Sequence, residues 1–222
     1  MGKSLFVHIV TYNHKPYIEK CIHSVLNQEG YLLNENLLLY VTDNNSYDGT
    51  AELVSDLFPE VDLTVNEANI GFAAAHNQGF YNFCRSGYEF ILVLNPDVVL
   101  KRDFLAKFVG AADKNKEFGL YTPKLLRAEE SLEPVIPHVF DAAGMVLTHT
   151  LRHFDRGSGE RDLGQYEESE EVFGGTGACL LIRRECLVDL ELRGEKRDRD
   201  LYKLKINQAL SPNQKTRTCA AK

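Results

Sequence analysis

Residues 90–97 have the sequence Phe90-Ile91-Leu92-Val93-Leu94-Asn95-Pro96-Asp97, a very apolar run followed by a polar turn. Its first five residues are apolar on both faces, which is typical of a strand buried inside a parallel sheet. The polar turn that follows is stiffened by Pro96, so Asn95 and Asp97 are held in a fixed relation. Ligands of open parallel sheets bind outside the carboxyl ends of the strands, and this turn lies at such an end.

Further strands and helices are predicted on either side of this strand in the first half of the chain. The apolar stripe Ile18, Cys21, Ile22, Val25 and Leu26 has helical spacing, and Pro16 suits the first turn of that helix. The other predicted elements are strands over residues 5–10, 37–41 and, more weakly, 61–65, and helices over residues 51–57, 72–84 and 104–112. The alternating order predicts an open α/β sheet with right-handed crossovers.

The second half of the chain has a less regular pattern. Strands are predicted over residues 119–126, 139–147 and 178–182, a mobile loop over residues 152–171, and the start of a helix at Arg183. We therefore predict one domain over residues 1–190, with a first half at 1–115 and an irregular second half at 116–190. The remaining residues, 191–222, form a charged tail with little apolar material, which we expect to be poorly ordered.

The composition excludes several classes of protein. The 222 residues carry a net charge of −7, which argues against binding to a nucleic-acid backbone, and 44% are hydrophobic, which suits a packed core. No apolar run approaches the roughly 20 residues that a membrane span needs, and the start of the chain has no signal-peptide cleavage pattern. The five cysteines are scattered without a CxxC pair, which argues against a zinc site and favours a reducing, cytoplasmic compartment.

Polar clusters follow all four predicted strands of the first half. They are Thr11-Tyr12-Asn13, the segment from Asp43 to Thr50, the segment from Asn66 to Gly71, and Asn95-Pro96-Asp97. Any one of them is explained equally well as an ordinary turn, because Asn, Asp, Gly and Pro favour turns. Four of them on one edge of a parallel sheet predict a crevice for a polar ligand.

The residue types in this crevice suggest which chemistry each cluster supports. Asp97 offers a carboxylate to Mg²⁺ or Mn²⁺, cations that take the rest of their ligands from a diphosphate and water. Asp43 is placed to accept a hydrogen bond from an N–H group of a nucleobase. Asn69, Gly71 and Asn77 precede or open a helix, whose amino end favours an anion such as a diphosphate.

Glycine-rich residues 174–177 precede a predicted strand instead of a helix. Their position and spacing exclude both a P-loop and a dinucleotide-binding fingerprint. Two interpretations stay open for Gly174, Gly175 and Thr176. They line a second substrate, or they form a flexible turn.

Taken together and in this order, the motifs resemble family 2 glycosyltransferases, and most of all their rhamnosyltransferase-like branch. The similarity covers about residues 4–190. The segments that carry it are Val10-Thr11-Tyr12-Asn13, residues 42–50 (TDNNSYDGT), residues 69–79 (NIGFAAAHNQG) and Leu94-Asn95-Pro96-Asp97.

This resemblance implies a GT-A fold, a nucleotide-diphosphate sugar donor linked to UDP or dTDP, and a divalent metal, Mg²⁺ or Mn²⁺. It places Tyr12 and Asp43 at the nucleobase of the donor. It places Asn69, Gly71 and Asn77 around the ribose and the diphosphate. Asp97 takes the metal-binding place of the family's Asp-x-Asp motif. Residues 141–144 and 174–177 resemble segments near the sugar and the acceptor.

The resemblance further implies an inverting transfer to a saccharide or lipid-linked acceptor during cell-surface polysaccharide synthesis. It implies a cytoplasmic protein that contacts the inner face of the cell membrane peripherally, without a transmembrane segment.

The chain departs from the family pattern where the catalytic base is expected. No Glu-Asp pair follows the strand at 178–182, and Asp141, Asp189 and Glu191 are the remaining candidates for the base. Two functions therefore stay open: a metal-assisted glycosyltransferase, and a nucleotide-sugar-binding protein with impaired or lost catalysis. A sugar nucleotidyltransferase fits less well, because the loop after the first strand lacks the expected Gly-rich, Arg-containing sequence.

Overall fold

The computed structural model describes residues 3–187 and residues 218–221. Four helices lie wholly within these described ranges: α1 (Lys15–Leu26), α2 (Thr50–Leu57), α3 (Phe72–Arg85) and α4 (Phe104–Lys114). The strands are β1 (Leu5–Thr11), β2 (Leu37–Asp43), β3 (Asp62–Val65), β4 (Phe90–Leu94), β5 (Leu120–Pro123), β6 (Leu125–Leu126), β7 (Phe140–Ala142), β8 (Met145–Leu147), β9 (His153–Asp155), β10 (Glu170–Val172), β11 (Cys179–Arg183) and β12 (Thr218–Ala221).

Eight of these strands form one sheet in the order β10-β12-β5-β11-β4-β1-β2-β3. The run β4-β1-β2-β3 is parallel, as the sequence predicts, whereas β11 lies antiparallel between β4 and β5. Strands β6 and β7 pair with each other apart from this sheet, and so do β8 and β9. The prediction of an open, mostly parallel α/β sheet with an irregular second half is confirmed.

Alternate residues of the buried strands build two apolar layers on opposite faces of the sheet. Leu5, Val7 and Ile9 of β1 pack with the apolar stripe of α1 and with residues of α4. Phe6 of β1 points to the opposite face and packs with Phe80 and Phe83 of α3. Because both faces are covered, the strands are apolar on both sides, which is the pattern found in the sequence.

The prediction of a mobile loop over residues 152–171 is wrong in part. Strand β9 and the first residues of β10 lie inside this segment, and Arg156 forms an ion pair of 2.7 Å with Glu170. Two of the charged residues that indicated a loop therefore pair with each other across the segment. The predicted strands at 119–126 and 139–147 each divide into two short strands, because each segment changes its partner part-way.

Residues 218–221 come from the tail that we expected to be poorly ordered, yet their backbone forms β12, between β5 and β10. A helix begins at residue 184, close to its predicted start. Residues 188–217 lie outside the described residues, so the predicted boundary at residue 190 stays a prediction. Within the described chain, no helix is long and apolar enough to cross a membrane.

Candidate functional site

The predicted crevice lies at the carboxyl ends of β1, β2 and β4. Thr11 and Asp43 are register partners at the ends of β1 and β2, and both are buried. The N–H of Asn44 donates to the carbonyl of Thr11 over 2.8 Å, which ties the two strand ends together beyond the sheet. Asn95 follows β4, the other neighbour of β1. Asn66 follows β3, and its N–H donates to the carbonyl of Asp43 over 2.8 Å. The structure thus brings all four predicted clusters to adjacent strand ends.

Asp43 has one carboxylate oxygen in use and one without a partner. Its Oδ1 accepts a hydrogen bond of 2.7 Å from the N–H of Ser46. Its Oδ2 is buried and has no partner among the described residues. An unsatisfied buried acceptor is costly and calls for an explanation. Asp43 Oδ2 is therefore available to a donor group of a ligand.

An exposed aromatic pair lies next to Asp43. Tyr12 and Tyr47 meet edge to face with ring centroids 6.1 Å apart, and Tyr47 is 82% exposed. Asn13 holds the two loops together, since its N–H donates to Ser46 Oγ and its Oδ1 accepts from the N–H of Tyr47. Asn13 has a φ of 59°, a conformation that asparagine tolerates better than most residues.

A network of side-chain amides connects the loop after β2 with the loop after β3. Asn44 Nδ2 donates to Asn69 Oδ1 over 3.0 Å, and the same oxygen accepts the N–H of Gly71. Asn44 Oδ1 accepts from the N–H of Ile70 and from Asn66 Nδ2. The oxygen of Asn69 is therefore occupied in holding the loop that opens α3. Gly71 has a φ of 84°, a backbone conformation that glycine adopts far more readily than other residues, which explains why a glycine stands here.

A buried polar cluster lies on the α3 face of the sheet. The Nδ1 atoms of His8 and His76 are 3.0 Å apart, and His8 Nε2 is 3.0 Å from Thr42 Oγ1. Burial lowers the pKa of His76 to about 3, and burial together with the neighbouring His76 lowers the pKa of His8 well below its usual value. Asn77 follows His76 and is buried, and its Nδ2 has no partner within the described chain.

The turn after β4 is anchored on two sides. The N–H of Asn95 donates to the carbonyl of Ala178 over 2.9 Å, and the carbonyl of Asn95 accepts from Cys21 Sγ over 3.5 Å. Pro96 is buried while Asp97 is exposed, so the turn presents a carboxylate to solvent from a rigid base. Burial raises the pKa of the Cys21 thiol, and the nearby charge of Asp97 raises it further.

The metal prediction can be tested against the donor groups around Asp97. In the described ranges, no group of three or more His, Cys, Asp and Glu residues could hold a metal ion. An all-protein metal cage therefore does not fit. A single exposed carboxylate does fit Mg²⁺ or Mn²⁺, which take one or two carboxylates and complete their shell with substrate phosphates and water.

The glycine-rich segment before β11 is packed closely against its neighbours. A Cβ at Gly175 would lie 2.8 Å from Thr122 Cβ and 2.7 Å from Leu180 Cδ1, so close packing explains this glycine. The carbonyl of Gly174 accepts from the N–H of Met145 over 2.8 Å, and Thr176 Oγ1 accepts from the N–H of Ala178. Ala178, directly after this segment, accepts the N–H of Asn95 in the turn after β4. A role of residues 174–176 towards a second substrate stays a prediction.

Three residues are candidates for the catalytic base, and the structure describes only one of them, Asp141. Its side chain is exposed and lies 3.9 Å from Arg127 Nε. Burial raises the pKa of nearby Asp155, and the charge of Asp141 raises it further. Asp189 and Glu191 lie outside the described residues.

Comparisons with known proteins identify the family of this chain. Residues 6–190 match the family described as Glycosyl transferase family 2. The chain belongs to this family. No curated protein matches the sequence.

Solved structures of glycosyltransferases have the same fold. Residues 1–349 of TarS from S. aureus, in complex with UDP-GlcNAc, match with 18% identity and a TM-score of 0.58, over 85% of this chain and 47% of that chain. The mannosyltransferase PcManGT from Pyrobaculum calidifontis, in complex with GDP-Man and Mn²⁺, matches with 18% identity and a TM-score of 0.57, over 99% of this chain and 57% of that chain. The chain therefore spans about half the length of the solved structures it matches.

The family match confirms the expected membership of family 2, and the solved structures confirm the expected GT-A fold. At this level of identity they speak for the fold alone, and they leave the rhamnosyltransferase-like branch as a prediction. Sequence reasoning placed Asp43, Tyr12 and Asp97 at one edge. It missed Ser46 and Tyr47, although both lie in the quoted segment 42–50, because only the fold reveals that Asn13 joins them to the loop after β1.

Proposed function

We propose that this family 2 chain binds a nucleoside-diphosphate sugar at the carboxyl edge of its sheet and transfers the sugar to an acceptor hydroxyl. The observation that carries the proposal is the buried, unpartnered Oδ2 of Asp43, next to the exposed Tyr12–Tyr47 pair. The N3–H of uracil or thymine is a donor for such an oxygen, and an aromatic side chain provides a surface against which a base can stack.

Uracil and thymine are the bases of UDP and dTDP. We propose that one of these two nucleoside diphosphates carries the donor sugar. In the two solved relatives, the ligands are UDP-GlcNAc and GDP-Man, which are also nucleoside-diphosphate sugars. The diphosphate would extend from the base towards Asp97, past Gly71 at the amino end of α3, where a helix favours negative charge. Rhamnose is the sugar that the resemblance to the rhamnosyltransferase-like branch suggests.

Asp97 is the residue that would hold a divalent cation, Mg²⁺ or Mn²⁺, together with the diphosphate oxygens. A cation bound there supplies positive charge to the leaving diphosphate. The chain's own contribution is positional, because the hydrogen bond from Asn95 to Ala178 and the buried Pro96 fix the carboxylate relative to β4 and β11. Fixed positioning lowers the entropic part of the barrier to transfer.

In the proposed reaction, the acceptor oxygen attacks the anomeric carbon while the bond to the diphosphate oxygen breaks. The configuration at that carbon inverts. The proton of the acceptor hydroxyl passes to a carboxylate base, for which Asp141, Asp189 and Glu191 are the candidates. We propose a saccharide or lipid-linked acceptor on the side of residues 174–176, in cytoplasmic assembly of a surface polysaccharide at the cell membrane.

Screening nucleotide sugars for thermal stabilisation, with and without Mn²⁺, tests the donor class. A ligand at one hundred times its Kd stabilises the folded state by about 2.7 kcal/mol, which shifts the melting temperature measurably. We expect UDP or dTDP sugars to raise the melting temperature, and more strongly with Mn²⁺. If no nucleoside-diphosphate sugar raises it under either condition, the proposal fails.

A transfer assay on the same protein separates the proposed enzyme from the alternative, a nucleotide-sugar-binding protein without catalysis. The observation that favours the alternative is that Asp141 is exposed and paired with Arg127. Removing general-base assistance slows transfer by about 10²–10⁴-fold. Donor binding with turnover supports the enzyme, whereas binding without release or transfer of the sugar supports the alternative.

A further inference from the structure

Phe72 is an exposed aromatic residue at the edge of the crevice. It is the first residue of α3, directly after Gly71, and it is 51% exposed. Exposure by itself says little, because single apolar side chains are common on protein surfaces. Phe72 differs from such a residue because two other residues fix the position of its ring.

His76 supports the ring from within α3. It lies one helical turn after Phe72, on the same side of the helix. The two ring centroids are 4.3 Å apart, with an angle of 65° between the ring planes. His76 is itself buried, and its Nδ1 lies 3.0 Å from Nδ1 of His8 in β1. The ring of Phe72 therefore rests on a side chain that the sheet holds in place.

Gly177 contacts the tip of the same ring from the segment before β11. A Cβ at Gly177 would lie 3.2 Å from Phe72 Cζ and 3.4 Å from Phe72 Cε1. The φ angle of Gly177 is not positive, so its backbone conformation does not require a glycine. The close approach of the ring explains this glycine instead, because a side chain at residue 177 would have to displace the ring.

These two contacts place Phe72 between two parts of the proposed donor site. Gly71 precedes it at the amino end of α3, where the diphosphate is proposed to lie. Ala178, the residue after the contacted glycine, accepts the N–H of Asn95 over 2.9 Å in the turn after β4. The ring of Phe72 thus extends from the amino end of α3 to the segment that anchors this turn.

The sugar of the donor lies next to this ring if the proposed function holds, and the inference rests on that function. In it, the base lies beside the Tyr12–Tyr47 pair, and the diphosphate extends past Gly71 towards Asp97. The sugar is bonded to the second phosphate, so it lies at the far end of the diphosphate from the base. Phe72 is exposed at that end of the crevice.

The face of a phenylalanine ring suits the apolar side of a sugar. A pyranose has hydroxyl groups around its rim and C–H groups on parts of its two faces. The face of an aromatic ring carries partial negative charge and attracts the C–H groups. It cannot replace the hydrogen bonds that a hydroxyl makes to water, so a hydroxyl pressed against the ring is unfavourable. Phe72 therefore favours a sugar that directs C–H groups towards it.

We propose that Phe72 is the residue against which the transferred sugar packs, and that it selects donor sugars with an apolar face on that side. Gly177 is a positioning residue in this arrangement, because it leaves room for the ring. A sugar held on the ring has its anomeric carbon in a fixed position relative to an acceptor, which favours the transfer.

Calorimetric titrations that compare a free nucleotide with its sugar conjugate test the proposal on the full chain. The probes are UDP with UDP-glucose, and dTDP with dTDP-rhamnose, each in the presence of Mn²⁺. For each protein, the measured quantity is the Kd of the nucleotide divided by the Kd of its conjugate. A free nucleotide carries more negative charge than its conjugate, so the ratio of a variant is compared only with the ratio of the unmodified protein.

In Phe72→Ala, the ratio should fall about three- to tenfold for at least one pair of probes, because the contact with the sugar is lost. A variant that only disturbs the amino end of α3 weakens the nucleotide and its conjugate alike, so a merely structural role leaves the ratio unchanged. Tyr81→Ala is the matched control, since Tyr81 is 50% exposed on the same helix, and it should keep the ratio of the unmodified protein.

Gly177→Ala tests the same contact without changing the ring. Its Cβ should displace Phe72, so the ratio should fall as well, whereas Gly177→Ala should have no further effect on the ratio when it is added to Phe72→Ala. A melting temperature for each variant confirms that it is folded.

The outcomes separate this inference from the proposed function. If the unmodified protein binds the nucleotides and the folded Phe72→Ala variant keeps its ratio for both pairs, this inference is overturned and the proposed function stands. An equal fall caused by Gly177→Ala with and without the ring also overturns it, because the glycine would then act independently of Phe72. If the unmodified protein binds none of the four probes, the proposed function fails and this inference fails with it.

Discussion

His8 of β1 and His76 of α3 face each other through their Nδ1 atoms at 3.0 Å, with both rings buried. One of the two nitrogens must donate and the other accept, so the pair requires at least one neutral ring. Burial lowers the pKa of both side chains, to about 3 for His76. Both rings are therefore neutral at pH 7, and the pair joins the sheet to α3.

The stability of the protein should fall in acid because of this pair. An unfolded histidine takes up a proton near pH 6.5, while the folded pKa of His76 is about 3. The pair's contribution is complete above pH 6.5 and is lost as pH falls from about 6.5 towards 3, by up to about 1.4 kcal/mol per pH unit for each histidine. Denaturant unfolding between pH 7 and pH 4 measures the slope.

His76→Phe should make the pH dependence shallower, since one of the two histidines is gone. At pH 7 it should also cost about 1–3 kcal/mol, because His8 Nδ1 loses its buried partner. His153→Gln, at an exposed position, is the control and should leave the slope unchanged. An equally steep slope in His76→Phe would refute the role of the pair.

Gly79 and Gly110 are helical glycines that should respond oppositely to alanine. A Cβ at Gly79 of α3 would lie 2.1 Å from His8 Nδ1, whereas a Cβ at Gly110 of α4 would have no atom within 4 Å. Gly79→Ala should destabilise by about 1–3 kcal/mol through overpacking, and Gly110→Ala should stabilise by about 0.5–1 kcal/mol. Thermal unfolding of both variants measures these changes in stability. Equal changes in the two variants would contradict the close approach of Gly79 to His8.

Tyr47→Ala should weaken nucleotide binding without changing stability. Tyr47 is almost fully exposed and meets Tyr12 edge to face, so its removal leaves no cavity but takes away one of two rings available to a base. Base stacking on an aromatic ring is worth about 1–3 kcal/mol, which predicts a roughly fivefold or larger loss of affinity for UDP or dTDP. Tyr81→Ala, exposed on α3, is the control, and equal affinities for the two variants would exclude Tyr47 from the base site.

Asp43→Asn should reduce nucleotide affinity even without metal. Asparagine retains an oxygen for the N–H of Ser46, but its other atom is an NH₂ group that cannot accept a hydrogen bond. A hydrogen bond to a charged group contributes about 1.5–3 kcal/mol, so we expect about a tenfold or larger loss. Calorimetric titration with UDP in EDTA measures it. A loss confined to titrations with Mn²⁺ would place Asp43 at the diphosphate instead.

The sequence predicts the central strands and the position of the crevice for clear physical reasons. Strands β1, β2 and β4 are buried on both faces and are therefore mostly apolar, and α1 has its stripe because only one side of it is covered. Asn95-Pro96-Asp97 follows the most apolar of these strands, so its place at the sheet edge could be inferred directly.

The remaining features depend on contacts between distant residues. Strands β9 and β10 are three residues each and have one apolar residue apiece, and pairing stabilises them in a way that local pattern does not reveal. Asn44, Asn66 and Asn69 have ordinary turn propensities, and only the fold shows that their side chains bind one another. The close approach of Gly175 to Thr122 is equally invisible in a linear sequence.

We propose above that Asp97 and a nucleoside diphosphate together bind a divalent cation. The most direct test is calorimetric titration of UDP and dTDP, with and without Mn²⁺, into the unmodified protein and Asp97→Asn. Asp56→Asn, exposed on α2, is the control. We predict that Mn²⁺ tightens binding to the unmodified protein and to Asp56→Asn, and that Asp97→Asn loses this gain while its metal-free affinity and melting temperature stay unchanged. A full Mn²⁺ gain in Asp97→Asn would contradict the claim.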